Sequence, residues 1–254
     1  MRIFRLAILV LGLLLLWQFI VTVSGAPHYI LPGPIPVAKM MVSNWSTLLG
    51  HLQITLTEIL AGLLLGTLLG SSCALVMILS PVLKRWLLPV LVISQAIPVF
   101  ALAPVLVLWL GYGMASKIAM AVLIIFFPVT TSFYYGMQRT DRDILELGRI
   151  MGARPTAMLR YIIIPFALPA FASGLRVATA VAPIGAVVGE WVGSSGGLGF
   201  YMLHANARMQ IDIMFAALTV LSVVSLSLYF LVDAAMNTLI YWETKKDLIN
   251  EKTV

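Results

Sequence analysis

Charge is what this sequence has least of. Only 10% of its 254 residues are charged, against 61% apolar ones, where a water-soluble domain carries roughly 25% charged residues. A surface so poor in charge cannot be held in water, so lipid must be the solvent. Cysteine is nearly absent too. The single Cys73 allows no internal disulfide and no cysteine-based zinc site, and it reads as a small apolar packing residue. Alternating segments of about ten residues, the mark of a membrane β-barrel, are missing. So are a Gly-x-x-x-x-Gly-Lys-Ser/Thr phosphate loop, a His-Glu-x-x-His metal pair and a Gly-x-Ser-x-Gly nucleophile elbow. These absences exclude the common hydrolase and nucleotidase chemistries, and no catalytic or metal-ligating residue is assigned.

What is present is length in apolar runs. Six stretches, Leu6–Val23, Ile54–Leu79, Trp86–Leu110, Ile118–Met137, Tyr161–Val188 and Ile213–Tyr241, approach or exceed the ~20 residues that span the hydrocarbon core. The expected fold is all-α: a polytopic membrane protein of six transmembrane helices, with residues 1–254 forming one transmembrane domain. The first run follows Arg2 and Arg5 and ends near Ser24-Gly25-Ala26, in the manner of a signal peptide. Pro27 and the length of the run favour a retained helix.

Cations sort by side. With the first helix running outward, the inner segments hold Arg2, Arg5, Lys84, Arg85, Arg139, Arg142, Arg149, Arg154, Arg160, Lys245, Lys246 and Lys252. The outer ones hold Lys39, Lys117 and Arg208. This asymmetry places both termini in the cytoplasm. The net charge of +6 is therefore a topology signal, aided by anionic lipid, and does not point to nucleic acid.

Two outer segments are long. Gly25–Gly50 contains Leu31-Pro32-Gly33-Pro34-Ile35-Pro36, read as extended. Gly189–Gln210 is rich in glycine, and its Gly189–Gly199 part is expected to be irregular. Pro98, Pro104, Pro128, Pro165, Pro169 and Pro183 are expected to interrupt membrane helices. Gly62, Gly66 and Gly70 line one helix face and allow close approach, within the subunit or across a dimer seam. Polar groups at depth are functional candidates. Gln95, Pro98 and Glu190 are assigned to a translocation pathway, each with an interhelical hydrogen bond or a helix break as the structural alternative. Arg176 is either a pathway residue or half of a structural ion pair, with Asp233 or across the dimer. Glu58 sits near the outer end of the second run.

The inner segment 138–160 carries most of the loop charge. Thr140 and Asp143 have the spacing of a capping box, predicting a short helix over Asp141–Met151. Ile144, Leu147 and Met151 share one face. Gly152 suits a left-handed stop, and Pro155 the first turn of the next helix.

These residues resemble the cytoplasmic signature of binding-protein-dependent ABC importer permeases: Glu-Ala-Ala, three residues, Gly, nine residues, Ile, one residue, Leu-Pro. Glu146, Gly152, Ile162 and Pro165 stand at the required positions. Leu147 and Gly148 replace the alanines, and Ile164 replaces leucine. The resemblance implies the type I (MetI-like) permease architecture in a bacterial inner membrane, and a coupling element comprising Glu146, Leu147, Gly148, Met151, Gly152, Ala153 and Arg154. It implies partners as well: a separate ATPase subunit that binds ATP and magnesium, a periplasmic or lipid-anchored solute-binding protein, and a second copy of this chain. Ser94–Lys117 and Gly189–Gly199 resemble the nitrate, alkanesulfonate, taurine and thiamine-pyrimidine-precursor branch. His204–Gln210 resembles the pyrimidine-precursor members most. A secondary transporter would need coupling ions at buried acidic sites and, usually, more helices built as repeats, and internal repetition is not evident. A non-transporting scaffold would have no use for the signature.

Overall fold

In a computed structural model describing residues 2–242, every regular element among the described residues is helical. In chain order these are α1 (Arg2–Ser24), α2 (Pro34–Ser43), α3 (Trp45–Leu79), α4 (Pro81–Ala96), α5 (Val99–Leu110), α6 (Met114–Gln138), α7 (Arg142–Ile150) and α8 (Pro155–Met158). A wide π turn at Leu159–Ile163 follows, then α9 (Ile164–Gly193), α10 (Leu198–Ala207) and α11 (Ile211–Leu239). Helices close every backbone hydrogen bond internally, which lipid demands.

The six apolar runs fall on these helices in order. By length and composition α3, α6, the stretch Pro155–Gly193 and α11 suffice to cross a membrane, and α4 with α5, bent by 105° at the break, makes either a fifth, broken span or a re-entrant loop. Within α1 the apolar helix Ile8–Ser24 is shorter. The side chains of Arg2 and Arg5, and residues Lys245, Lys246 and Lys252, lie outside the described residues.

Several local expectations are corrected. Pro34 and Pro36 open α2 instead of forming extended chain, because first-turn N–H groups have no partner within a helix and a proline there loses nothing. Gly189–Gly193 remain helical, and the irregular part shrinks to Ser194–Gly197. Of the six prolines expected to interrupt helices, Pro98 alone sits in a full break, with Ile97 extended as a residue before proline prefers. Pro104, Pro128, Pro169 and Pro183 are carried inside helices. Pro165 follows the π turn, whose wider ring accommodates the lost N–H and the crowded carbonyl.

The chain forms two compact units. One comprises 2–62, 99–121 and 183–225, the other 63–98, 122–182 and 226–242. In the first, Ala103, Met120 and Val188 make a small buried cluster, and Trp17 donates to the Pro32 carbonyl at 3.1 Å while stacking on Phe215. In the second, Ala74, Met77, Leu91, Phe133, Tyr134, Met137 and Ala167 form the core. There Gly66 and Gly70 meet α6 directly. A Cβ at 66 would fall 2.7 Å from Ile125 Cγ2, and one at 70 would fall 3.1 Å from the Phe126 carbonyl. Both glycines, and Gly62, are buried within the chain, so this face packs internally and is not left open as a seam.

The end of α10 stores backbone strain. Met209 lies at φ 58°, while Met209 N–H bonds the Asn206 carbonyl and Gln210 N–H the Ala205 carbonyl. This is the Schellman pattern, whose left-handed residue is ordinarily glycine. Met209→Gly is expected to stabilise the protein by about 1 kcal/mol, read as a higher melting temperature in detergent.

Candidate functional site

Helix α7 is built as a rigid, outward-facing segment. Its cap is Asp141, whose carboxylate accepts from Asp143 N–H at 3.0 Å, and not Thr140, whose hydroxyl donates to the Met137 carbonyl at 2.9 Å as α6 ends. At the other end Gly152 adopts φ 76°. Gly152 N–H bonds the Arg149 carbonyl and Ala153 N–H the Gly148 carbonyl, a complete Schellman stop. Arg154 is extended ahead of Pro155, which opens α8. Cap, stop and restart together fix the direction of α7.

One face of α7 touches the chain. A Cβ at Gly148 would meet Met158 Sδ at 2.5 Å and Ile162 Cδ1 at 3.1 Å, so α7 seats on the following turns through the one residue without a side chain. That contact explains the departure from alanine at this position. The other face is open. Leu147 is 57% exposed, Ile150 84% and Met151 78%. Glu146 and Arg149 are exposed beside them, and neither forms an ion pair among the described residues. A short helix with an unpaired acid and base beside bare apolar side chains has the makings of a docking helix.

A second constellation lies in the first unit, with Thr55, Glu58, Lys117 and Glu190 buried and His51 half-buried. His51, Thr55 and Glu58 follow one face of α3. Glu190 on α9 is 1% exposed. Its carboxylate accepts from Thr55 Oγ1 at 2.6 Å, Gly199 N–H at 2.5 Å and Phe200 N–H at 3.3 Å. Thr55 Oγ1 accepts from Leu198 N–H at 2.8 Å, and His51 Nδ1 from Gly197 N–H at 3.1 Å. The first-turn N–H groups of α10 thus find distant acceptors, with a carboxylate at the positive end of the helix. Gly197 is required here twice over: it lies at φ 106°, and a Cβ would collide with the Glu190 carboxylate. The His51 ring stacks on Tyr201 at 4.7 Å.

Lys117 joins this cluster. The sequence places it in an outer loop, but it lies in the first turn of α6, 5% exposed. Its Nζ is 2.7 Å from Glu58 Oε1 and 3.0 Å from Ser194 Oγ. The backbone of Gly189 lies against it, where a Cβ would stand 3.0 Å from Lys117 Cα.

The other candidates separate clearly. Gln95 and Pro98 are exposed at the break after α4. Arg176 pairs with Asp233 at 2.6 Å and donates to Asn237 Oδ1 at 3.1 Å, and Asn237 donates to the second Asp233 oxygen, a closed triad within the chain. No group of three or more His, Cys, Asp or Glu side chains able to hold a metal ion occurs among the described residues.

Residues 62–240 match the family described as the binding-protein-dependent transport system inner membrane component. The chain is 53% identical over 235 residues to a probable ABC transporter permease protein of Haemophilus influenzae, covering 92% of this chain and 96% of the relative. It is 36% identical over 237 residues to the formylaminopyrimidine transport permease protein ThiX of Halalkalibacterium halodurans, covering 93% and 94%. It is also 36% identical over 256 residues to the riboflavin transport system permease protein RibX of Chloroflexus aurantiacus, covering 91% and 87%. A solved inward-facing MetNI methionine ABC transporter has a chain of the same fold, with a TM-score of 0.60 at 20% identity, covering 80% of this chain and 98% of that one. The protein is therefore a member of the binding-protein-dependent ABC importer permease family, a multi-pass membrane transport subunit with the MetI-like fold.

Proposed function

We propose that two copies of this chain form the membrane path of an importer. A binding protein on the outer face delivers a small polar solute, and two ATPase subunits dock on α7 from the cytoplasm. The observation that carries the docking role is the exposed Leu147–Ile150–Met151 edge beside unpaired Glu146, on a helix held at both ends. Glu146, Leu147 and Met151 contact the ATPase. Gly148 seats the helix, and Gly152, Ala153 and Arg154 form the stop that sets its angle. Both termini lie on the same side as α7.

The solute is a formylated aminopyrimidine precursor of thiamine. Support comes from the ThiX relative and from the likeness of His204–Gln210 to permeases of that kind. Riboflavin is the second reading, since the RibX relative is equally identical. Both are nitrogen heteroaromatics, unlike the solutes of the sulfonate and taurine relatives at 29% and 28% identity. Calorimetry with the partner binding protein tests this. Saturable binding of formylaminopyrimidine with no binding of riboflavin, taurine or an alkanesulfonate supports the first reading. The reverse selectivity removes it.

Gln95 and Pro98 line the path, and Glu190 serves it by holding the entry to α10. Gln95→Ala is expected to lower the initial uptake rate about tenfold, the equivalent of one lost hydrogen bond of ~1.4 kcal/mol, with unchanged assembly by size-exclusion chromatography. Uptake at the parental rate counts against this placement.

A further inference from the structure

The second unit contains a pair of clefts that the transport reading does not use. One, of about 570 Å³, runs between helices past Leu88, Leu91, Phe127 and Ser173. The other, of about 380 Å³, is walled by Phe166, Pro169 and Trp242. They share Gly136, Arg139 and Ala170, so the exposed Arg139 guanidinium stands on the ridge dividing two largely apolar slots. Among the described residues no carboxylate pairs with it.

Two further features belong to the same end. Lys84 Nζ lies 5.3 Å from the centre of the Tyr134 ring, which lines the larger cleft. Trp242, with the exposed Tyr241 beside it, supplies the aromatic pair that marks headgroup depth in membrane proteins. A guanidinium at headgroup depth with no acid to pair it, a second cation nearby and an apolar slot on either side ask for one kind of ligand. It carries a phosphate at its head and two hydrocarbon chains below.

We infer that Arg139 and its two flanking clefts form a binding site for an anionic phospholipid, whose phosphate takes the guanidinium fork and whose acyl chains enter one cleft each. Guanidinium groups bind phosphate oxygens in bidentate fashion, and basic pockets between membrane helices on the cytoplasmic side hold anionic headgroups. Two hydroxyls in the larger cleft are already engaged: Thr131 donates to the Phe127 carbonyl and Tyr134 accepts from Gln138.

The test is reconstitution of the intact chain in vesicles of phosphatidylcholine and phosphatidylglycerol in equal parts, followed by mild extraction and native mass spectrometry of retained lipid. The parent is expected to retain phosphatidylglycerol in preference to phosphatidylcholine, and Arg139→Gln to reduce that preference about fivefold, the factor of one cation near a charged membrane surface. Arg142→Gln removes a charge three residues away, from α7 and not from either cleft, and should leave the preference intact. Ser173→Phe keeps every charge but fills the larger cleft, and should reduce the preference. A parent without preference, an Arg139→Gln chain that keeps it, an Arg142→Gln chain that loses as much, or a Ser173→Phe chain that is unaffected each overturns the proposal.

Discussion

Replacing Lys117 with methionine is expected to destabilise the protein by about 3–5 kcal/mol, the range for removing one member of a buried ion pair. The Glu58 carboxylate is 0% exposed and its Oε2 has no hydrogen-bond partner, so the ammonium 2.7 Å away is its main compensation. Position alone does not favour a cation there. Lys117 sits in the first turn of α6, where the helix dipole repels positive charge, so its placement is explained by Glu58 and by Ser194. Removing both partners tells a different story. Glu58→Leu with Lys117→Met removes both members of the pair, leaves the Glu190 carboxylate on its own hydrogen bonds, and is expected to cost less stability than Lys117→Met alone. Unfolding in detergent, followed by helical circular dichroism, checks both variants. A stable Lys117→Met chain would mean that the ion pair does not hold this region.

Glu146→Lys and Gly152→Leu are each expected to reduce coupled transport about tenfold while leaving the bundle inserted and folded. Glu146 is exposed and has no ion-pair partner among the described residues, so reversing its charge removes no contact within the chain. Any loss must arise at a partner. A like charge facing a basic groove weakens docking by about tenfold or more, ~1.4 kcal/mol. Gly152 acts through conformation. At φ 76°, with open space around it, a leucine meets no clash but opposes the left-handed backbone by ~1–2 kcal/mol. That is enough to shift the stop of α7 and too little to unfold helices held by lipid and core packing. The expected readout is normal expression, a parental melting temperature for Glu146→Lys and a slightly lower one for Gly152→Leu, with ATPase co-purification and uptake both reduced about tenfold.

The membrane helices were legible because lipid leaves a chain few options, and each crossing shows as an apolar run. The stop of α7 was legible for a local reason: Gly152 and Pro155 each have one favoured place at a helix junction. Its start was misread by one residue. Thr140 and Asp141 are both competent caps, and the choice depends on where α6 ends, because the Met137 carbonyl takes the Thr140 hydroxyl. The buried cluster was not legible. Thr55 and Glu190 are 135 positions apart, and Lys117 beside Gly111 and Gly113 looks like loop charge until α6 is seen to begin at Met114. A partial signal existed. His51, Thr55 and Glu58 continue the face of α3 that carries Gly62, Gly66 and Gly70, so one stripe runs from polar residues to small ones. The prolines misled because four of the six sit within helices that continue through them, as helices packed in membrane proteins can.

Uptake by proteoliposomes holding this permease, its ATPase and its binding protein tests the central claim most directly. Labelled solute is supplied outside with the binding protein, and ATP and magnesium are enclosed on the α7 side. Uptake is expected to require ATP, to persist when ion gradients are collapsed, and to fall about tenfold with Glu146→Lys. Uptake without ATP that follows an imposed ion gradient, and is indifferent to Glu146→Lys, would contradict it.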